Sequence, residues 1–196
     1  MRAFAKGKDP ALVQVETDMG NVAERTMEAR VAERADYGPW LELATEIEPL
    51  FGPMARDPIF QRALSRNIAR GTAYCIREND GGMGSRLVAG LLLSPRPPIY
   101  RIGWLVVTAS ERRSGLGRTL LHRALAGIEP PAEILVVTFG PDVPGGESAR
   151  SFYQKMGFAS GEMAEPAPNG ASRQVFRKWL ATGAPHAASP RASSTT

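Results

Sequence analysis

The stretch IGWLVVTASERRSGLGRTLLHRAL, residues 102–125, decides how the rest of the chain is interpreted. It opens with an apolar run of strand-forming residues, crosses a polar turn at 108–113, and continues with leucine and alanine at helical spacing. The sequence Arg112-Arg113-Ser114-Gly115-Leu116-Gly117 joins the strand to the helix. Glycines in a first helical turn leave unpaired backbone N–H groups uncovered, and the helix dipole and two arginines add positive charge. The sequence therefore predicts a phosphate or pyrophosphate site at this helix start.

Two common nucleotide motifs are absent from this stretch. A P-loop needs Gly-x-x-x-x-Gly-Lys-Ser/Thr, and no such run occurs in the chain. A dinucleotide fingerprint needs a third glycine where Leu120 stands. The pattern that remains is Arg-x-x-Gly-x-Gly directly after a strand. The alternative to a phosphate site is an ordinary helix start in which the two glycines only allow the backbone to turn.

A second motif follows about 35 residues later. Ala149, Phe152, Tyr153 and Met156 recur at helical spacing, and Gly157 is suited to end the helix in a left-handed conformation before Phe158. A plain amphipathic helix is the alternative interpretation, and it suffices for the apolar positions.

The two motifs together resemble the GNAT superfamily of N-acetyltransferases over about residues 27–180. Its acyl-coenzyme-A loop reads Gln/Arg-x-x-Gly-x-Gly/Ala, and its late helix reads Asn-x-x-Ala-x-x-x-Tyr-x-x-x-Gly-Phe. This sequence has Gly146 where the asparagine often contacts the pantetheine, and Ala109 where a proline often precedes the loop. A Cβ at Gly117 is expected to crowd the pyrophosphate.

The resemblance implies acetyl-coenzyme A as cosubstrate, a primary amine as acceptor, and direct transfer in a ternary complex. It implies that Tyr153 is the general acid. The cofactor would be held by Leu105, Val107, Arg112, Arg113, Ser114, Gly115, Leu116, Gly117 and Arg118. Acceptor-binding candidates are Tyr37, Trp40, Tyr100 and Trp104, with core packing as the alternative for each. The general base is not identified, since Glu42, Glu46, Glu78 and Glu111 qualify by residue type alone.

Other functions remain open at this point. The acceptor is unidentified, so a protein or aminoacyl-tRNA acetyltransferase is an alternative to a small-amine enzyme. A non-catalytic coenzyme-A-binding module is another. A homodimer is compatible with each.

Composition limits the class of protein. With 196 residues, 43% apolar and 22% charged, the chain has the length and composition of one globular domain. No apolar run approaches the roughly 20 residues of a membrane helix, and the N-terminus lacks a signal-peptide core, so we expect a cytoplasmic protein. The net charge of +4 suits a polyanionic ligand, but lysine and arginine are scattered, which argues against nucleic acid. Cys75 is the single cysteine and there are two histidines, so neither a disulfide nor a metal site is expected.

The element order predicts a mixed α/β fold, with a mostly antiparallel central sheet and a β-α-β acyl-coenzyme-A-binding core flanked by helices. Strands are predicted within 26–35 and at 72–77, 86–93, 100–107 and 133–139, with one or two more at the end. Helices are predicted at 39–50, at 58–69 and in the two motifs, and Asp36 is expected to cap the first. Residues 1–25 are expected to form an arm with a possible added strand at 12–15, residues 26–181 the domain, and 182–196 a disordered tail.

Overall fold

The computed structural model describes residues 27–167 and 169–182, which form a seven-stranded sheet in the order β1-β2-β3-β4-β5-β7-β6. The strands are β1 Ala29–Val31, β2 Ala73–Arg77, β3 Leu87–Arg96, β4 Ile99–Val107, β5 Ala132–Phe139, β6 Ala159–Ala164 and β7 Arg173–Leu180. The helices are α1 Tyr37–Phe51, α2 Pro58–Ala69, α3 Leu116–Leu125 and α4 Glu147–Lys155. The predicted arm, the added strand at 12–15 and, apart from residue 182, the predicted tail lie outside the described residues.

The pairing of the strands confirms the predicted mixed α/β fold. Every neighbouring pair is antiparallel except β4 and β5, which are parallel and joined through α3. Parallel neighbours require a crossover, and a helix is the usual one. The β4-α3-β5 unit is therefore the predicted β-α-β core.

Two hydrophobic clusters cover the two faces of the sheet. On one face α3 and α4 pack against the sheet, with Leu120, Leu121 and Tyr153 buried. On the other face α1 and α2 supply Trp40, Leu43 and Leu64. The apolar positions of the helices point inward as their 3.6-residue spacing predicts.

A bulge at Gly103 changes the face to which β4 residues point. Leu93 pairs with Ile102 and Leu92 with Trp104, which leaves Gly103 without a partner on β3. Ile102 therefore packs on the α3 face, whereas Trp104 and Val106 pack on the α1 face.

The expected role of Asp36 as a helix cap is wrong. Its side chain makes no capping hydrogen bond to α1 and is fully buried. It accepts two hydrogen bonds from Arg77, from Nε at 3.0 Å and from Nη2 at 2.8 Å, and a third from the backbone N–H of Glu33. A buried carboxylate is stabilised far more by a paired guanidinium than by helix amides, so the ion pair determines its orientation.

Element boundaries differ from the predictions in small ways. Helix α2 has the predicted bounds, and Asp57 caps it by accepting from the Ile59 N–H at 2.8 Å. Strand β3 does not end at residue 93 as predicted but continues to Arg96, because Pro95 pairs with Tyr100 in the β3–β4 hairpin. Among the described helices none has the length and apolar character to cross a membrane.

Candidate active site

Strands β4 and β5 separate from each other halfway along β4. They pair only from Ile99 with Glu133 to Ile102 with Val136. Beyond that point β4 stays with β3 up to Val107, while β5 stays with β7 up to Phe139. The sheet therefore has a wedge-shaped opening between the carboxyl ends of β4 and β5.

The backbone of β4 presents hydrogen-bonding groups to this opening. The N–H of Thr108 donates to the carbonyl of Val88 on β3 at 2.9 Å. Backbone groups alternate in direction along a strand, so those of Val107 and Leu105 point away from β3, toward β5. Arg112 Nε reaches the Val107 carbonyl at 3.4 Å from that side. The two residues predicted to hold the pantetheine thus border the opening.

The glycine loop follows directly after β4 and carries a row of free amides. The backbone N–H groups of residues 113–118 have no hydrogen-bond acceptor within the described residues. The first helical bond of α3 runs from Thr119 N to the Gly115 carbonyl at 3.1 Å. Six consecutive free N–H groups at a helix start fit a pyrophosphate, whose oxygens are acceptors.

The loop curves because two residues adopt left-handed conformations. Arg113 has φ 66° and Gly115 has φ 91°, and no atom lies within 4 Å of a Cβ built on Gly115. Glycine is favoured at Gly115 for its backbone, since a side chain there would be strained. A Cβ built on Gly117 would meet Phe152 Cε2 at 3.4 Å and Val107 Cγ2 at 3.8 Å, which are ordinary van der Waals distances. The Cβ position of Gly117 therefore faces α4 and β4, which the local sequence did not indicate.

Positive charge surrounds the free amides. Arg112, Arg113 and Arg118 are exposed, and within the described part of the chain none of them forms an ion pair. Ser114 Oγ donates to the Glu111 carbonyl within the turn that precedes α3. The predicted cofactor residues on the loop thus come shortly after those at the end of β4.

Tyr153 lies on α4 in the same core cluster as Leu105, Val107 and Leu116. Its ring contacts Phe152 at 5.1 Å and Phe158 at 5.4 Å between centroids, and the side chain is 5% exposed. Within the described residues its hydroxyl has no hydrogen-bond partner. Burial raises the pKa of Tyr153 above its ordinary value, so the phenol keeps its proton at neutral pH. Phe152, which the sequence indicated only as an apolar helix position, lies between Tyr153 and Gly117.

The structure explains the glycine at position 146. Gly146 precedes α4, and a Cβ built on it would lie 2.5 Å from Phe139 Cβ and 3.1 Å from the Val143 carbonyl oxygen. An asparagine cannot occupy this position unless Phe139 moves. The close packing of Phe139 and Val143 therefore explains why glycine stands at this position.

Three of the four predicted acceptor residues come together. Trp40 and Trp104 pack with ring centroids 5.6 Å apart, and Tyr37 is partly buried against the same cluster. Gly90 makes this possible, because a Cβ there would lie 2.9 Å from Trp40 and 3.0 Å from Trp104. Sequence reasoning missed Gly90, which lies in an apolar strand.

Tyr100 lies elsewhere. It stands at the start of β4, seven residues before Val107, which corresponds to roughly 23 Å along a strand. There it lines a cleft of about 560 Å³ with Pro97, Pro98, Gly127, Glu129, Pro130 and Pro131. Tyr100 therefore lies at the opposite end of β4 from Val107 and the glycine loop.

Two of the four candidate bases take part in ion pairs. Arg86 pairs with Glu78 at 2.7 Å and with Glu46 at 3.1 Å on the surface. Cys75 is buried, and burial raises the pKa of its thiol to about 12, so it is no nucleophile at neutral pH. Within residues 27–167 and 169–182 no cluster of side chains could hold a metal ion.

Comparisons with known proteins agree with this geometry. Residues 69–160 match the family model described as Acetyltransferase (GNAT) domain. Arabidopsis thaliana Naa50, in complex with the bisubstrate analogue CoA-Ac-MVNAL, aligns with a TM-score of 0.60 at 19% identity, over 79% of this chain and 99% of that chain. No curated protein matches the chain in sequence.

Two further solved structures align equally well. PaiA N-acetyltransferase from Thermoplasma acidophilum, in complex with coenzyme A, gives a TM-score of 0.61 at 16% identity, over 79% of this chain and 99% of that chain. The ribosomal-protein-S18-alanine N-acetyltransferase from Escherichia coli gives 0.58 at 15% identity, over 80% and 95%. These likenesses show the fold, and the family match spans the glycine loop and Tyr153. Over residues 69–160 the chain is therefore similar to the acetyltransferase (GNAT) domain family, and its described residues share the fold of these acetyltransferases.

Proposed function

We propose that the protein is an acetyl-coenzyme-A-dependent N-acetyltransferase that moves the acetyl group directly to a primary amine. The observation that carries the proposal is the position of the free amides. The row of N–H groups at 113–118 lies directly beyond the point where β4 borders the opening in the sheet. One elongated ligand can thus place a pyrophosphate on the loop and its thioester in the opening.

The binding roles follow from the chemistry of the groups present. The amides of 113–118 and the charges of Arg112, Arg113 and Arg118 would hold the pyrophosphate. The outward-facing backbone groups of Leu105 and Val107 would pair with the amides of the pantetheine arm, as an added strand would.

Acetyl transfer breaks the C–S bond of the thioester and forms a C–N bond to the acceptor. The amine attacks as a neutral nucleophile and loses one proton, and the departing thiolate takes up one proton. Tyr153 is suited to supply that proton, since it is protonated at neutral pH and its hydroxyl has no partner in the described protein. The transfer needs no covalent enzyme intermediate, and a water or the acceptor's surroundings can take the amine proton.

Calorimetry with acetyl-coenzyme A tests the binding site. Gly115→Ala places a Cβ on a residue with φ 91°, a strain of about 1–2 kcal/mol that the loop can relieve only by changing its curve. We expect the affinity for acetyl-coenzyme A to fall about 5- to 30-fold.

Gly71→Ala is the matched control. Gly71 also has a positive φ, 65°, but precedes β2, at the end of the sheet opposite the glycine loop. It should lose similar stability and keep its affinity for acetyl-coenzyme A. Equal affinity in the wild type and both variants would mean that the loop does not bind the cofactor.

A further inference from the structure

Two buried indole N–H groups on the α1 face of the sheet have no hydrogen-bond partner. They belong to Trp40 and Trp104, and in the described residues they are the only side-chain nitrogen or oxygen atoms that are fully shielded from solvent and have no partner. A buried donor without an acceptor costs free energy, and native proteins retain few of them. Two in direct ring contact therefore indicate an acceptor atom that residues 27–167 and 169–182 do not supply.

The pair lies at the opening between β4 and β5. Ile102 is the last β4 residue paired with β5, and Trp104 comes two residues later. The glycine loop and Tyr153 lie on the α3 and α4 face, and the two indoles lie on the opposite face. An opening in a sheet connects its two faces, so a ligand on the indole side can meet a thioester held from the other side.

Packing alone does not explain the choice of tryptophan. Phenylalanine would fill a core without leaving a donor unpaired, and buried tryptophan N–H groups usually have a partner. The chain also has a glycine at position 90, beneath both rings, where any Cβ would overlap them. The site is therefore built around the two indoles.

We propose that Trp40 and Trp104 determine acceptor specificity by donating their indole N–H groups to an oxygen of the acceptor. The preferred acceptor is then an amine with a carbonyl or carboxamide oxygen close to its nitrogen, and an alkylamine without that oxygen is a poor one. This inference rests on the proposed acetyl transfer.

The side chains that pack over Trp40 and Trp104 can rotate. Phe60 on α2 lies 5.8 Å from Trp104 between ring centroids and is partly buried, as is Met54 in the α1–α2 connection. Glu48 Oε1 accepts from the backbone N–H groups of Met54 and Ala55 at 2.9 and 2.8 Å, which fixes the connection's backbone. An acceptor oxygen can reach the indoles by displacing side chains without unfolding the connection.

Indole NMR signals test the proposal directly. The chain has three tryptophans, and the third, Trp179, is 61% exposed and serves as an internal reference. The probes are leucinamide and 3-methylbutylamine, which is the same amine without the carboxamide. In ¹⁵N-labelled protein saturated with coenzyme A, leucinamide should move the Trp40 and Trp104 N–H signals downfield and leave Trp179 in place. The alkylamine should move none of them.

Kinetics of Trp104→Phe and Trp40→Phe provide the second measurement. Each variant keeps a ring and removes one donor, so the KM for leucinamide should rise about 2- to 12-fold. The KM for 3-methylbutylamine and the affinity for acetyl-coenzyme A should stay unchanged. Trp179→Phe is the matched control and should change none of the three values.

The possible outcomes distinguish a failure of this inference from a failure of the proposed function on which it rests. If acetyl-coenzyme A binds and the indole signals do not respond to leucinamide, the indoles do not contact the acceptor, and the inference is overturned while the proposed function stands. A resident buried water that gives cross-relaxation to both indoles would also overturn it. If acetyl-coenzyme A does not bind at all, the proposed function and the inference fail together.

Discussion

The substitution Tyr153→Phe removes one oxygen atom from the core cluster that Tyr153 shares with Leu105 and Val107. The ring is packed among Phe152, Phe158 and Phe176, and the variant ring can occupy the same space. Because the hydroxyl has no protein partner in the described residues, its loss leaves no other group unpaired. We expect the free energy of unfolding at pH 7 to change by less than about 0.5 kcal/mol.

The effect on catalysis should be much larger. General acid catalysis contributes about 10²–10⁴-fold, and a thiolate is a fairly good leaving group, so a loss of about 10²-fold in kcat is expected. The affinity for acetyl-coenzyme A should stay the same, since the loop and β4 carry the binding groups. The matched control is Tyr74→Phe, because Tyr74 is a second buried tyrosine of the same core cluster and lies on β2, away from the opening.

Steady-state and single-turnover rates with a good acceptor are the assay. Single turnover is needed because slow product release can hide a change in the chemical step. A chemical rate within threefold of the wild type would remove Tyr153 from the mechanism. The pH dependence of the free energy of unfolding gives an independent check. Burial raises the pKa of Tyr153 in the folded protein above its ordinary value near 10, so the wild type loses stability as the pH rises past about 10. The Tyr153→Phe variant should lack that loss.

Two further substitutions test the supporting structure. Burial alone would raise the pKa of Asp36, but hydrogen bonds from Arg77 and from backbone amides lower it. The pair of Asp36 and Arg77 therefore stabilises the fold above about pH 4, and this stabilisation is lost as the pH falls through the lowered pKa of Asp36. Asp36→Asn should cost about 3–5 kcal/mol at pH 7 by urea denaturation, and an unchanged midpoint would refute the importance of the pair. Gly146→Asn should destabilise the protein by about 1–3 kcal/mol, because its Cβ displaces Phe139. A gain in coenzyme-A affinity by calorimetry would contradict the steric explanation.

Local sequence was sufficient for the features that depend on neighbouring residues. The glycine loop, the start of α3 and the helix that carries Tyr153 follow from glycine placement and from helical spacing within a few residues. The parallel pairing of β4 and β5 follows from the strand–helix–strand order. These predictions are confirmed because the forces that determine them act over short distances along the chain.

Features that depend on distant residues were not predictable in this way. The opening in the sheet results from where the pairing of Ile99–Val107 with Ala132–Phe139 stops, and no local pattern encodes that point. Asp36 and Arg77 are 41 residues apart, so a capping role seemed the simpler interpretation of Asp36. The atoms that a Cβ on Gly117 would contact belong to Phe152, 35 residues later. Each correction replaces a local explanation with a tertiary contact.

Backbone amide NMR during a coenzyme-A titration tests the cofactor site most directly. The signals of residues 105, 107 and 113–118 should shift together and saturate with one dissociation constant. The signals of Tyr100, Gly127 and Glu129, at the cleft on the opposite end of β4, should stay in place. Shifts confined to that cleft, with an unchanged glycine loop, would contradict the assignment of the cofactor site and the proposed function with it.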